Sequence, residues 1–501
     1  MRTGSNIVQR GVNEVRSGKL SPVLMKRLRR LAVVLFLLPL VAVPASAGSQ
    51  TRPNIVLILA DDLEYGVLEH FPAITSQLVR QGASFDHVFV TNSWCCPSRA
   101  SILRSQYVHS HTVWTNTAPE GGFSRFYTAG LDRSTIGSWM RGAGYRTALM
   151  GKYLNHYPGG VAPATYVPPG WDQWAVPVKR LYEEYDYTLN ENGRLVEYGW
   201  GEDDYLEDVL AEKAKDFVSA PGTQPFFLYL APVAPHSPAN PARRHADAFP
   251  NAKAPRPPSF DQPDLTKEPL WLRDLPRVGT TGEERIDERY RARLRAMLGV
   301  DDMVDTLVSA LQQAGKLDNT YIFFGSDNGF HLGTHRLRQG KTTPFEEAIR
   351  VPLVVRGPGV APGSTISAMA QTVDYAPTFA ELAGVVPPSF AEGRSLAPLL
   401  RGITPPNWRR NALIEFSRPT NPDLESQTLV PAYSALRTAT HTYVKYVTGE
   451  TQLYDLTTDP YELNNLAATA DPGLVRDLQA RLDLMRTCSG ATCRTADAWG
   501  G

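Results

Sequence analysis

Asn54-Ile55-Val56-Leu57-Ile58-Leu59-Ala60-Asp61-Asp62 is the stretch from which the fold can be read. An unbroken apolar run of this length reads as a strand buried on both faces, and a carboxylate pair follows it at once. Residues 146–150, 226–230, 321–324 and 353–355 have the same apolar character, and all five runs are expected to be buried parallel strands. Helical stretches alternate with them at 73–81, 135–142, 205–219, 285–313 and 375–382. Strand, helix and strand in alternation predict an α/β sheet covered by helices on both faces. In such a sheet ligands sit beyond the carboxyl ends of the strands, so the residues that follow each run matter most.

Those residues are polar at four of the five ends. Asp61 and Asp62 follow the opening run, Gly151-Lys152 the second, Ala234-Pro235-His236 the third, and Asp327-Asn328 the fourth. Asp61, Asp62, Asp327 and Asn328 make an all-oxygen set that suits Ca²⁺ or Mg²⁺, and no histidine or thiolate at those positions argues for zinc. Each pair alone also fits a helix cap or a turn, but two such pairs behind two strands are harder to dismiss. Arg99, Lys152, His236 and Lys341 supply cationic or proton-donating groups. With a divalent metal they would clamp a tetrahedral oxyanion such as sulfate or phosphate. Singly, each also fits an ordinary surface charge. His236, between Pro235 and Pro238, is the general-acid candidate, because imidazole titrates near neutrality. His331 and His335 follow the second acidic pair and either enter the site or serve structure.

Cys95-Cys96-Pro97-Ser98-Arg99-Ala100 holds two of only four cysteines. Adjacent cysteines suit an ordinary disulfide badly. Pro-Ser-Arg suits a helix start, whose N–H groups face an anion. Cys95 reads as electrophile, nucleophile or metal ligand, with a buried structural thiol as the alternative.

The chain has 501 residues, 42% hydrophobic and 20% charged, which describes a globular protein with ample core. Net charge is zero, so no global field points to nucleic acid or anionic membranes. Only 11 lysines stand against 40 arginines, which draws attention to each lysine in a motif. Residues 1–47 read as an export signal, with Lys26-Arg27-Leu28-Arg29-Arg30, an apolar run over 31–43 and Ala45-Ser46-Ala47; Met25 is an alternative start. The apolar run is short for a membrane span, so no stable anchor is expected and the mature chain is secreted or periplasmic. In that compartment Cys488 and Cys493 are expected to form a small disulfide loop. Residues 48–400 form the expected catalytic domain, with an irregular proline-rich connection over 232–282. Residues 401–501 form a smaller α+β subdomain, an antiparallel meander over 412–416, 434–437, 443–447 and 451–456. Thr448-Gly449-Glu450 turns its last pair, and an amphipathic helix follows with Leu474, Leu478, Leu482 and Met485 on one face.

Taken together, Arg52-Pro53-Asn54-Ile55-Val56 through Asp61-Asp62, Cys95 to Ala100, Gly151-Lys152, Pro235-His236, Ser326-Asp327-Asn328-Gly329 and Lys341 before Glu346-Glu347 carry a family likeness. So does Leu453-Tyr454-Asp455-Leu456 through Asp459-Pro460 and Asn464-Asn465-Leu466. The chain resembles the type I sulfatases of the alkaline-phosphatase-like superfamily from Arg52 to about Ala467. The doubled cysteine, Gly151-Lys152-Tyr153-Leu154-Asn155 and Ala234-Pro235-His236-Ser237-Pro238 are most similar to the N-acetylglucosamine-6-sulfatase branch, which includes extracellular heparan 6-O-endosulfatases. The resemblance implies a large mixed, mostly parallel sheet between helices and a substrate among sulfated carbohydrates such as glycosaminoglycans. It also implies oxidation of Cys95, not Cys96, to Cα-formylglycine by a formylglycine-generating enzyme. The hydrated aldehyde would attack sulfur in line, and its second hydroxyl would expel sulfate. Asp61, Asp62, Asp327 and Asn328 would bind one Ca²⁺ together with residue 95. Arg99, Lys152 and Lys341 would hold sulfate oxygens, and His236 would assist the leaving group.

Two departures from the family pattern matter. Leu154 stands where many sulfatases have a histidine, leaving Asn155 or His156 as substitutes, and Leu103-Arg104-Ser105 replaces the usual Leu-Thr-Gly. A phosphodiesterase or phosphonate monoester hydrolase on the same scaffold is the alternative enzyme. A carbohydrate-binding protein with a decayed site is the alternative class, and the intact Asp61, Asp62, Asp327, Asn328 and Cys95 set speaks against it.

Overall fold

β1 (Asn54–Ala60) lies between two parallel partners, β8 (Phe226–Ala231) and β9 (Thr320–Ser326), in a computed structural model that describes residues 52–418 and 430–500. The export signal expected over 1–47 falls outside the described residues. Side chains of β1 alternate between two cores: Ile55, Leu57 and Leu59 enter one, Val56, Ile58 and Ala60 the other. A strand buried on both faces needs an apolar residue at every position, hence the unbroken run.

The remaining strands are β2 (Ala83–Phe85), β3 (Val88–Phe89), β4 (Arg146–Gly151), β5 (Gln173–Lys179), β6 (Thr188–Glu191), β7 (Arg194–Glu197), β10 (Leu353–Arg356), β11 (Ser364–Ile366), β12 (Ala370–Gln371), β13 (Ala412–Phe416), β14 (Tyr433–Arg437), β15 (His441–Tyr446) and β16 (Thr451–Asp455). Seven of these join β1, β8 and β9 in a ten-stranded main sheet, ordered β11-β2-β10-β9-β1-β8-β4-β5-β6-β7. Its centre, β9-β1-β8-β4-β5, is all parallel. Helices Cys95–Arg104, Ile136–Gly142 and Tyr375–Leu382 supply one flanking core, and Leu206–Ser219 and Gly279–Gln313 the other. The fold is a large mixed, mostly parallel sheet sandwiched by helices, with a smaller antiparallel sheet beside it.

Several expectations need correction. β10 is antiparallel to both β9 and β2, not parallel. A parallel return needs a crossover of a dozen or more residues, usually helical, and the only helix between β9 and β10 is the four-residue Glu346–Ile349. Burial gives parallel and antiparallel core strands the same composition, so the run at 353–355 carries no direction. The helix expected at 73–81 is a π-type turn over Ile74–Val79, started by Asp301, which accepts from Ala73 N and Ile74 N at 3.0 and 2.7 Å. The long helix begins at Gly279, six residues before the expected start.

In the C-terminal region β13-β14-β15-β16 form the antiparallel meander, and Gly449, at φ +90°, turns the last pair. Leu478, Leu482 and Met485 of the helix Pro472–Thr487 pack on Leu413, Leu436, Tyr443 and Leu453, while Leu474 is only partly buried. The Cys488–Cys493 disulfide is formed.

Candidate active site

Register places the site. Ala60 pairs with Ser326, so Asp61 and Asp327 leave adjacent strands side by side, and Asp327 N donates to Ala60 O at 3.2 Å. Gly151 pairs with Ala231, and Lys152 N donates to Ala231 O at 2.8 Å. Asp61 N reaches Ala234 O at 3.3 Å, which ties the turn carrying His236 to the same edge. Four strand ends separated by up to 266 residues of sequence thus converge, as expected for ligand sites in open α/β sheets.

Cys95 enters at the first residue of the helix Cys95–Arg104, all ten residues of which are buried. Its Sγ lies 3.5 Å from Asp61 Oδ1, 3.6 Å from Asp62 Oδ1 and 2.7 Å from Lys341 Nζ. Lys341 also pairs with Asp62, and Lys152 Nζ with Asp61 Oδ2 at 2.5 Å. Arg99 donates through Nε to Asp327 Oδ2 at 2.7 Å and through Nη1 to Lys152 O at 2.9 Å. Asp62 N donates to Asp327 Oδ1 at 3.0 Å, and Asn328 Nδ2 to Asp62 Oδ1 at 2.8 Å. The left-handed φ of +70° at Asp62 is rare for a side chain other than glycine and is held by these contacts.

The charges act on one another. Burial alone would raise the Asp61 carboxyl, but Lys152, His236, Arg99 and Lys341 outweigh it and hold it well below the usual carboxylate range. Asp62 is lowered too: burial opposes this, and Lys341 and His236 prevail. Burial pushes the Cys95 thiol up despite Lys152 and Lys341, so a resting thiolate is disfavoured here. Cys96, also buried, is pushed up to about 12 and does not join the Cys95 cluster of ligand atoms.

His236 is partly exposed, with Nε2 3.8 Å from Asp62 Oδ2. Its Nδ1 faces Ser237 O at 2.7 Å, and a carbonyl only accepts, so Nδ1 carries a proton and Nε2 faces the site. Tyr182 stacks on the imidazole at 3.9 Å and lies 5.1 Å below Lys152 Nζ. Neither Tyr182 nor Arg293, which donates to the carbonyls of Asp62 and Pro235, has any distinguishing sequence pattern. Arg293 is one of many arginines in a long helix.

Other sequence candidates are resolved less centrally. Asn155 reaches the site through Tyr182, donating to its hydroxyl at 3.0 Å. Leu154 is buried, while His156 is exposed and none of the site's charges shifts its titration. His331 does not enter: its ring nitrogens contact the hydroxyls of Thr334 and Thr343, both at 2.7 Å, and burial lowers its pKa to about 4. His335 stacks on Phe345 and groups with Glu347 and Glu462, a cluster distinct from that of Cys95.

A sulfatase family model matches residues 53–385, two thirds of the chain. This chain belongs to the sulfatase family. It is a sulfuric ester hydrolase. A second model, for the C-terminal region of N-sulphoglucosamine sulphohydrolase, matches residues 333–487. The sulfatase is 34% identical over 488 residues to the N-acetylglucosamine-6-sulfatase of Capra hircus, covering 90% of this chain and 87% of that one. An extracellular sulfatase homolog from Drosophila melanogaster is 34% identical over 384 residues, 74% of this chain and 34% of that protein. A solved structure described in complex with its substrate, D-glucosamine-2-N,6-O-disulfate, superimposes with a TM-score of 0.74 at 25% identity, covering 89% of this chain and 99% of the other. Among the described residues no helix is long and apolar enough to cross a membrane.

Membership of the sulfatase family implies a formylglycine and a divalent metal, and the residues present fit both. Ligand atoms of Asp61, Asp62, Cys95 and His236 lie within 4.8 Å of one another. Asn328 Oδ1 is buried with no hydrogen-bond partner, a cost that a bound cation would remove.

Proposed function

We propose that this sulfatase is an exported enzyme that removes the 6-O-sulfate of glucosamine-type sugars, using one Ca²⁺ ion and a Cα-formylglycine that a formylglycine-generating enzyme makes from Cys95. The observation that carries the reading is the position of Cys95 Sγ, between Lys341 Nζ and the carboxylates of Asp61 and Asp62. The 6-sulfated sugar is supported by the names of the mammalian relatives and by the substrate of the solved neighbour. Export is supported by the extracellular relatives and the sequence of residues 1–47.

Asp61, Asp62, Asp327, Asn328 and residue 95 would hold the cation. Hydrated and metal-bound, the formylglycine would supply the oxygen that bonds to sulfur and a second hydroxyl through which sulfate departs. The chain's own residues set up that chemistry. Three acids, Asp61, Asp62 and Asp327, balance three cations, Arg99, Lys152 and Lys341. A divalent ion therefore leaves the site with two positive charges while His236 is neutral and three when its ring is doubly protonated, set against one sulfate ester and one anionic nucleophile. Lys341, in contact with residue 95, stabilises negative charge there and on sulfate. Lys152 stands over Tyr182, positioned to take a second sulfate oxygen. Arg99, wholly buried, holds Asp327 and the Lys152 backbone in register. His236, protonated at Nε2, delivers a proton to the sugar oxygen as the S–O bond breaks.

All these side chains lie within the proposed catalytic portion, 48–400. The portion 401–501 braces the loop before Cys95: Asn92 donates to Glu415 O at 2.6 Å, and Ser93 meets Tyr433 at 3.3 Å.

Mass spectrometry of the Cys95 peptide tests the nucleophile: conversion lowers the mass by about 18 Da, unlike any product of thiol oxidation. Turnover of glucosamine 6-sulfate beside matched phosphate esters, with and without chelator, tests the rest. A phosphoester preference, or activity retained by Cys95→Ala, would refute the reading.

A further inference from the structure

A second cluster sits in the segment that carries Lys341. One ligand atom from each of His335, Glu347 and Glu462 lies within 4.8 Å of the others, and His335 Nε2, Glu347 Oε2 and Glu462 Oε1 are buried without a hydrogen-bond partner. His335 and Glu462 are each 1% exposed. Three orphaned polar atoms within one buried cluster are costly, and native structures rarely leave them so.

Each side chain has one polar atom engaged and the other spare. His335 Nδ1 bonds Gln262 Oε1 at 2.9 Å, and Gln262 Nε2 is fixed by the carbonyls of Asp264 and Leu463. The amide oxygen accepts, so Nδ1 is protonated and the Nε2 lone pair points into the cluster, the usual arrangement of a metal-bound histidine. Glu462 Oε2 accepts from Glu346 N at 3.0 Å, and Glu347 Oε1 from Ser259 Oγ at 3.2 Å. Glu462 is held at φ +54°, in the left-handed region. His335 Nε2 is 3.6 Å from Glu347 Oε2, too long for a hydrogen bond but close to the edge of about 3.3 Å between ligands of a tetrahedral zinc.

Charge points the same way. Glu346 pairs with Arg437 and Arg350, but among the described residues no lysine or arginine pairs with Glu347 or Glu462. We propose that His335, Glu347 and Glu462 bind a divalent transition-metal ion, zinc by ligand type, at a site separate from the active site. Two carboxylates and a neutral imidazole neutralise the ion. Calcium, which favours all-oxygen shells, is disfavoured by the histidine. Glu347, with a quarter of its side chain exposed, provides the way in. Bound there, the ion would clip the 335–347 segment to the chain after β16 and so steady Lys341.

The test uses the full chain carrying Cys95→Ala, which removes the active-site sulfur, dialysed against zinc in excess calcium. One zinc per chain is expected by elemental analysis, and cobalt in its place should give the visible bands of a tetrahedral ion without a thiolate charge-transfer band. His335→Ala and Glu462→Gln, added to that background, should each weaken zinc binding at least tenfold, while Asp327→Asn should not. Anomalous diffraction at the zinc edge keeps the test decisive even where a variant fails to fold. A peak at His335 supports the site. No retained zinc, a peak elsewhere, or equal retention in the His335→Ala and Glu462→Gln proteins overturns it.

Discussion

Arg99 donates through Nε to the carboxylate of Asp327 at 2.7 Å, and neither side chain has any exposed surface. Removing one member of such a pair strands the other charge. Arg99→Met should therefore cost about 3–5 kcal/mol of stability. Replacing both, Arg99→Met with Asp327→Asn, should recover part of that loss. Urea unfolding of the three proteins measures it, and an unchanged midpoint in the single variant contradicts the pairing.

His236 can be probed through its leaving group. A sugar alkoxide needs a proton as it departs, whereas p-nitrophenolate hardly does. His236→Gln should thus slow hydrolysis of a sugar 6-sulfate by about 10²- to 10⁴-fold and p-nitrophenyl sulfate far less. Equal losses on both substrates would remove His236 from the role of acid.

His109 links helix Val108–His111 to the C-terminal sheet. Its Nδ1 meets Glu415 Oε2 at 2.8 Å and its Nε2 meets Cys488 O at 2.9 Å. Burial works against the charged ring, but the hydrogen bond and charge of Glu415 prevail and lift its pKa to about 9. A raised folded-state pKa stabilises fully below the unfolded value near 6.5 and is lost as pH climbs through 9. Stability should fall by about 3 kcal/mol across that window. His109→Gln should be less stable at pH 6 and nearly flat from 6.5 to 9; parallel denaturation curves for the two proteins at both pH values would reject the assignment.

Ser105 occupies the left-handed C-cap of the helix that starts at Cys95, at φ +57°, where the family pattern has glycine. Its hydroxyl compensates, donating to Val373 O at 2.9 Å and accepting from Gly393 N at 3.0 Å. Ser105→Ala keeps the strain and strands both buried groups, for a loss of about 2 kcal/mol. Ser105→Gly loses the same bonds but relieves the backbone, by about 1 kcal/mol. Melting temperatures should rank wild type, then glycine, then alanine; alanine above glycine would mean that the left-handed backbone is not strained.

The convergence of polar residues at one sheet edge was legible because they follow apolar runs: Asp61, Lys152, His236 and Asp327 could be placed by asking what each strand leads to. Lys341 follows no strand; the scarcity of lysine made it a candidate cation, and the family likeness gave it a place in the site. Tyr182 and Arg293 gave no signal, since aromatic stacking and backbone capping depend on tertiary proximity alone. The direction of β10 was hidden by burial on both faces. β6 and β7 were missed although Asn192-Gly193, both at positive φ, is a strong short hairpin signal. β5 contains Pro177, which obscures a strand reading.

Every residue from Cys95 to Arg104 is buried, and Arg104 is bonded to Gln106, Leu131 and Ser134 beneath the Phe390 ring. A modifying enzyme has no access to such a segment once it has packed. Under the proposed chemistry, the active fraction is therefore decided by a race during synthesis between conversion of Cys95 and closure of the core around it. Folding quickly and becoming competent are then opposing demands on the same ten residues, and slower folding, by lower temperature or a weakened core, would raise specific activity per molecule.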